Sequence, residues 1–179
     1  MSADASRRTW ELTESVVVAA SPERVFGIVA DPRRMAGFSP ECAGVLRLPS
    51  ARRERRWFLG LNRRGPRLWI TLCRVIRAVP PYEFAYRVSV FGLPLADWEY
   101  RVEAVDERTT RVTEHWRDLR RGPAGRVGDA LGVLVAGTGP ADRVRVNRSG
   151  MRTTLSRLKA ALDEPDPLPD PISHFRSTS

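Results

Sequence analysis

The stretch Ser15–Pro40, SVVVAASPERVFGIVADPRRMAGFSP, decides how this chain is read. Three valines in a row, Val16 to Val18, open a β-strand that ends near Ala20. Ser21 then offers a side-chain oxygen to the free N–H groups of a helix start. Pro22 suits the first helical position, where no N–H is needed, and Glu23 favours the positive helix end. Val25, Phe26 and Val29 fall on one face of that helix. The signal repeats at once: Asp31 caps, Pro32 opens, and Met35 with Phe38 form the next apolar stripe, before Ser39-Pro40 stops the turn. A strand that runs directly into two short helices builds a wall with a cover beside it.

Downstream, apolar runs alternate with turn signals. Strands are expected at Val45–Leu48, Trp57–Leu61, Leu68–Val79, Glu83–Phe91, Asp97–Val105 and Arg111–Arg117. The clearest alternation is Trp98, Tyr100 and Val102 against Asp97, Glu99, Arg101 and Glu103. Short connections between consecutive strands predict an antiparallel meander. A long helix is then predicted over residues 141–163, with Val144, Met151, Leu155, Leu158 and Leu162 on one stripe and Asn147 and Arg148 on or beside it. Residues 121–140 are rich in Gly and Ala and read as a flap or insertion. Residues 1–13 are expected to be a flexible N-terminus, 14–163 the folded domain, and 164–179, with four prolines, a disordered tail.

Composition excludes several classes. At 179 residues and 42% hydrophobic content the chain suits one globular domain. No apolar run is long enough for a membrane span, and the N-terminal residues form no secretory signal, so a cytoplasmic location is expected. Cys42 and Cys73 lack any CxxC neighbour, and His115 and His174 supply no ligand spacing, so no metal and no cofactor are expected. The net charge of +9 is almost all arginine, since Lys159 is the only lysine. Eight arginines against one acid, Glu54, lie between Arg47 and Arg67. This segment reads first as solvated loops and strand edges. Transient contact with an acidic membrane is the alternative, and no motif accompanies it that would bring nucleic acid.

Four stretches in this order, VVVAASPERVFGIVADPRRMAGFSP, CRVIRAVPPYEFAYRV, DWEYRVEAVDERTTRVTEHW and NRSGMRTTLSRLKAAL, resemble the START/Bet v 1-like (SRPBCC) superfamily, in its polyketide cyclase/dehydrase-type branch. The resemblance covers about residues 14–163. It implies an α+β helix-grip fold: a curved antiparallel sheet of six to seven strands around a long C-terminal helix, with two short helices after the first strand. It also implies a cavity for a hydrophobic small molecule.

The same interior follows from alternation alone. Phe84, Tyr86, Val88 and Val90 share a face, as do Trp98, Tyr100 and Val102. On the last strand Arg111, Thr113, His115 and Arg117 take the wet face, so Val112, Glu114 and Trp116 turn inward. An inward carboxylate needs a partner, water or a cavity, or else it becomes neutral. Tyr86, Tyr100, Asn147 and Arg148 are the candidate partners of Glu114. Trp69 and Cys73 share the inner face of the long strand, and Phe38, Met151 and Leu155 complete the expected ligand-binding set. Glu114, then Tyr86 and Tyr100, are the candidates for acid/base chemistry. Three functions remain open: a non-enzymatic carrier or binding protein for a lipid- or polyketide-like molecule, a polyketide aromatase/cyclase or dehydratase, and a peripheral lipid-handling protein on acidic membranes.

Overall fold

A computed structural model describes residues 9–49 and 56–164 of the chain. The chain runs β1 (Glu11–Val18), α1 (Pro22–Val29), α2 (Pro32–Ala36), β2 (Cys42–Arg47), β3 (Trp57–Arg64), β4 (Arg67–Val79), β5 (Glu83–Val90), β6 (Leu93–Ala104) and β7 (Thr110–Asp118). It ends with α3 (Gly122–Ala136) and α4 (Pro140–Asp163). The strands form one antiparallel sheet in the order β1-β7-β6-β5-β4-β3-β2. Strands β2 to β7 make the meander, and β1 adds to its far edge by pairing with β7. The sheet curves around α4 without closing, which is the helix-grip fold.

The helix starts behave as their residues dictate. Ser21 Oγ accepts from the Arg24 N–H at 3.3 Å, and Asp31 Oδ1 accepts from the Arg33 N–H at 2.9 Å. Helix α1 turns Val25 and Val29 toward β5, β6 and β7. There they join Val18, Phe84, Val102, Val112, Leu155, Leu158 and Leu162 in one core cluster. Each such side chain contributes about 1.5–3 kcal/mol relative to leaving it in water.

One boundary differs from the sequence reading. The first strand begins at Glu11, so residues 11–13 belong to the sheet rather than to a flexible lead. Leu12, only 3% exposed beside Trp116, explains why. Of the two readings of segment 121–140, flap or insertion, the structure has the second: residues 122–136 form one continuous helix packed on β4 and β6. Its small residues have a specific use. A Cβ on Gly125 would lie 2.4 Å from the Arg120 backbone carbon, so only glycine lets the helix start this close. Beneath α3, Arg120 is paired with Asp118 at 2.9 Å and with Asp129 at 3.1 Å. Of the expected tail, residues 165–179 lie outside the described residues, as do 1–8 of the N-terminus and 50–55 of the arginine-rich segment.

Candidate functional site: a cavity ending on a buried carboxyl

Between the sheet, α2 and α4 lies a cavity of about 740 Å³. That falls within the range of small-molecule pockets, about 300–1,000 Å³. Sheet register lays out its wall. Tyr86 pairs with Trp98, and Phe84 pairs with Tyr100, which in turn pairs with Glu114. Phe58 pairs with Cys73, and Cys73 with Val88. Phe58 meets the Tyr86 ring edge-on at 5.4 Å, so the aromatic wall is continuous across β3 and β5. Helix α4 closes the opposite side with Asn147, Met151 and Thr154.

The polar feature of the wall is Glu114. It is 2% exposed and lines the cavity. The Tyr100 hydroxyl donates to its Oε1 at 2.7 Å, and Oε2 is buried with no hydrogen-bond partner. Loss of hydration pushes the Glu114 carboxyl up to about 8, against an opposing pull from the Tyr100 hydrogen bond. At neutral pH it is therefore mostly the neutral acid. With Oε1 accepting from Tyr100, the acidic proton belongs on Oε2, where it faces no acceptor. Tyr86 and Tyr100 are likewise raised well above the ordinary phenol, first by burial, and so remain O–H donors. Burial pushes the Cys73 thiol up to about 12, which makes it an unreactive part of the wall.

Ten of the fifteen residues expected at the ligand face the cavity: Trp69, Cys73, Phe84, Tyr86, Val88, Trp98, Tyr100, Glu114, Asn147 and Met151. Five do not. Val112 and Leu155 are sealed in the core, and Phe38 packs against that same core from α2's end. Trp116 lies in a second apolar cluster and borders a side chamber of about 90 Å³ under α3. Arg148 is the clearest correction. It is exposed and reaches Glu14 at 3.6 Å, with Arg152 on the other oxygen of Glu14 at 3.1 Å. Glu14 sits directly opposite Glu114 across the β1–β7 pair, at the outer edge next to α4. It takes the cation that the sequence reading had offered to Glu114.

The sequence reading missed several lining residues: Phe58, Asn62, Glu41 and Arg143. Arg143 was within reach, because it stands four residues before Asn147 on the same helical stripe. It pairs with Glu41 at 2.8 Å and ties the first turn of α4 to the start of β2 across the mouth. Asn62 donates to Thr71 Oγ1 at 3.2 Å and to the Gly60 carbonyl at 3.1 Å, forming a small polar belt below that mouth.

Known proteins share this architecture. The Zhui aromatase/cyclase from Streptomyces sp. R1128 superposes with a TM-score of 0.61 at 19% identity, over 86% of this chain and 92% of that one. A START superfamily protein from Mycobacterium smegmatis gives 0.65 at 13% identity, over 87% and 98%. The di-domain ARO/CYC StfQ of the steffimycin biosynthetic pathway gives 0.63 at 15% identity, over 86% of this chain. The chain spans about half the length of that di-domain protein, covering 50% of it. These likenesses establish the fold. No curated protein matches. The family profile described as polyketide cyclase / dehydrase and lipid transport matches residues 9–163, from the first strand to the end of α4. The chain that folds into this open-ended, aromatic-walled grip is a member of that family.

Proposed function

We propose that the protein binds a hydrophobic, lipid- or polyketide-like small molecule in the cavity and holds it as a carrier rather than transforming it. One observation carries this reading: an aromatic-walled space of about 740 Å³ ends on a carboxyl group whose Oε2 has no partner. A buried unpaired polar atom is destabilising by about 1–3 kcal/mol until something pairs with it. A guest with a carbonyl or other acceptor oxygen would take the Glu114 proton in a hydrogen bond, while its apolar body rests on Phe58, Phe84 and Trp98. A binding role suits the chemistry of the wall. Glu114, Tyr86 and Tyr100 all hold their protons at neutral pH, so all three are donors and none is a ready base.

Cyclase or dehydratase activity is the second reading, and the same carboxyl supports it. An acid poised at about 8 is loaded with a proton at pH 7; it can deliver that proton to a hydroxyl that departs as water, and the carboxylate so formed can take the proton from the neighbouring carbon as the C=C bond forms. Native mass spectrometry of the purified protein tests the shared part: a bound organic molecule is expected, and an empty protein after challenge with aromatic polyketones would overturn it. Glu114→Gln then separates the two. Under the carrier reading the variant weakens binding of carbonyl-bearing guests, and wild type leaves the guest chemically unchanged. Turnover by wild type, lost in the variant with binding intact, would establish the enzyme instead.

A further inference from the structure

The outer face of β2, β3 and β4 is apolar, although it points away from the core. Phe58, Gly60 and Asn62 line the cavity, so the alternate residues Leu59 and Leu61 point outward. Trp69, Thr71 and Cys73 line it from β4, which turns Leu68, Ile70 and Leu72 outward. Register joins them into rows, Leu46–Leu59–Leu72 and Leu61–Ile70. Leu46, Leu68 and Ile70 are each about 60% exposed (58, 62 and 59%). Isolated exposed leucines are ordinary, but contiguous apolar rows mark a surface that meets something.

The next turn adds to the patch. Phe91 and Gly92 occupy the tip between β5 and β6, both with positive φ, 48° and 78°. A bulky side chain in the left-handed region is strained by about 1–3 kcal/mol. Phe91 is also 85% exposed, so the described residues leave its ring uncovered. The pairing of Leu72 with Ser89 brings Phe91 level with Ile70.

Charge selects the partner. Among the described residues, 42–49 and 56–79 contain seven arginines and no carboxylate. Arg47 and Arg77 are paired with Asp31 and Glu83. Arg56, Arg63, Arg64, Arg67 and Arg74 have no carboxylate partner among the described residues, and Arg74 stacks over Trp57. A second copy docking face to face would oppose arginine with arginine. A protein partner would need matched polar groups, and apart from arginine these rows offer none. Arg63 and Arg74 alternate onto this outer face, and Arg64 and Arg67 stand beside it at the β3–β4 hairpin. Aliphatic side chains flanked by arginine match the acyl boundary and phosphates of an anionic bilayer. Arg63, Arg64 and Gly65 also line the cavity, so the surface adjoins its mouth.

We propose that the outer face of β2–β4, with Phe91, docks on anionic lipid bilayers and presents the cavity mouth to them. Segment 121–140 takes no part, since α3 shares its side chamber with Trp69, Thr71 and Val88 on the inner face. The role of this surface rests on the cavity reading, but the docking itself does not. Co-sedimentation with large vesicles tests it, comparing phosphatidylcholine alone with a mixture one-third phosphatidylglycerol. Wild type should pellet with the anionic vesicles at low salt and release as salt shortens the screening length. Ile70→Asp and Phe91→Ser, both outside the cavity lining, should each reduce partitioning about tenfold, in line with losing one buried apolar side chain and, for Asp, adding repulsion. No preference for anionic vesicles, or equal binding by both variants, overturns the proposal. So does a concentration-dependent dimer that Ile70→Asp abolishes. Guest occupancy by native mass spectrometry should be the same in wild type and both variants. If the guest is absent while docking persists, the cavity reading fails and the docking stands.

Discussion

Glu114 gives the sharpest quantitative expectation. An ordinary glutamate titrates near 4.5 and this one near 8, because folding strips its water while giving it a single hydrogen bond from Tyr100. The folded state therefore keeps its proton over a window in which the unfolded state has released it. Between those two values the folded chain binds more protons, so stability falls as pH rises. Above the folded value both states are ionised and the loss is complete. Each pH unit in the window corresponds to about 1.4 kcal/mol, so the whole effect is on the order of 5 kcal/mol as a ceiling. Water drawn into the cavity around the ionised group reduces it. Glu114→Gln keeps an acceptor for Tyr100 and cannot ionise. Urea unfolding of both proteins from about pH 5 to about pH 9 yields the difference in stability, in which other titrating groups cancel. Wild type should lose at least about 1 kcal/mol relative to the variant across that range. Tyr100→Phe should move the midpoint higher still, since the lost hydrogen bond was favouring the ionised form. A flat difference curve would mean that Glu114 is hydrated or paired in the native state, and the neutral-acid account would be refuted.

Other expectations follow from the packing of α3. Arg120→Met removes the cation beside Asp118, itself 1% exposed, and should destabilise by roughly 3–5 kcal/mol, with faster amide exchange across 122–136. Gly125→Ala drives a Cβ into the Arg120 backbone and should destabilise by about 1–3 kcal/mol on thermal unfolding. Gly132→Ala meets only ordinary contacts at 3.6 Å and should gain up to about 1 kcal/mol from helix propensity.

What was legible in the sequence was whatever had contrast. Trp98 and Tyr100 alternate with charges, which settles their face from the sequence, and Glu114 is turned inward by the opposite placement of its polar neighbours Thr113 and His115. The start of α1 and α2 was equally plain, because Ser21-Pro22 and Asp31-Pro32 each satisfy a helix end locally. Contrast fails on β3, where Phe58 alternates with Leu59 and both faces look apolar. On β4 Trp69 and Cys73 mark the inner face, but Leu68, Ile70 and Leu72 make the outer face as apolar as the inner one. The arginine-rich segment hid this second face by making the region look merely solvated. Arg148 was misplaced for a different reason: periodicity puts it near the right stripe, but only the β1–β7 register shows that Glu14 stands between it and the interior.

The sheet never closes on itself, and that has a mechanical consequence. Strands β1 and β2 are its two free margins, and the gap between them is bridged by α1 and α2 instead of by backbone hydrogen bonds. The ties on the β2 side are ionic, Arg143 to Glu41 and Arg47 to Asp31. Such a vessel has a seam. If the cavity holds a guest as proposed, a wider one is expected to enter by parting side chains along that seam, leaving every strand-to-strand ladder intact where the β-structure stops.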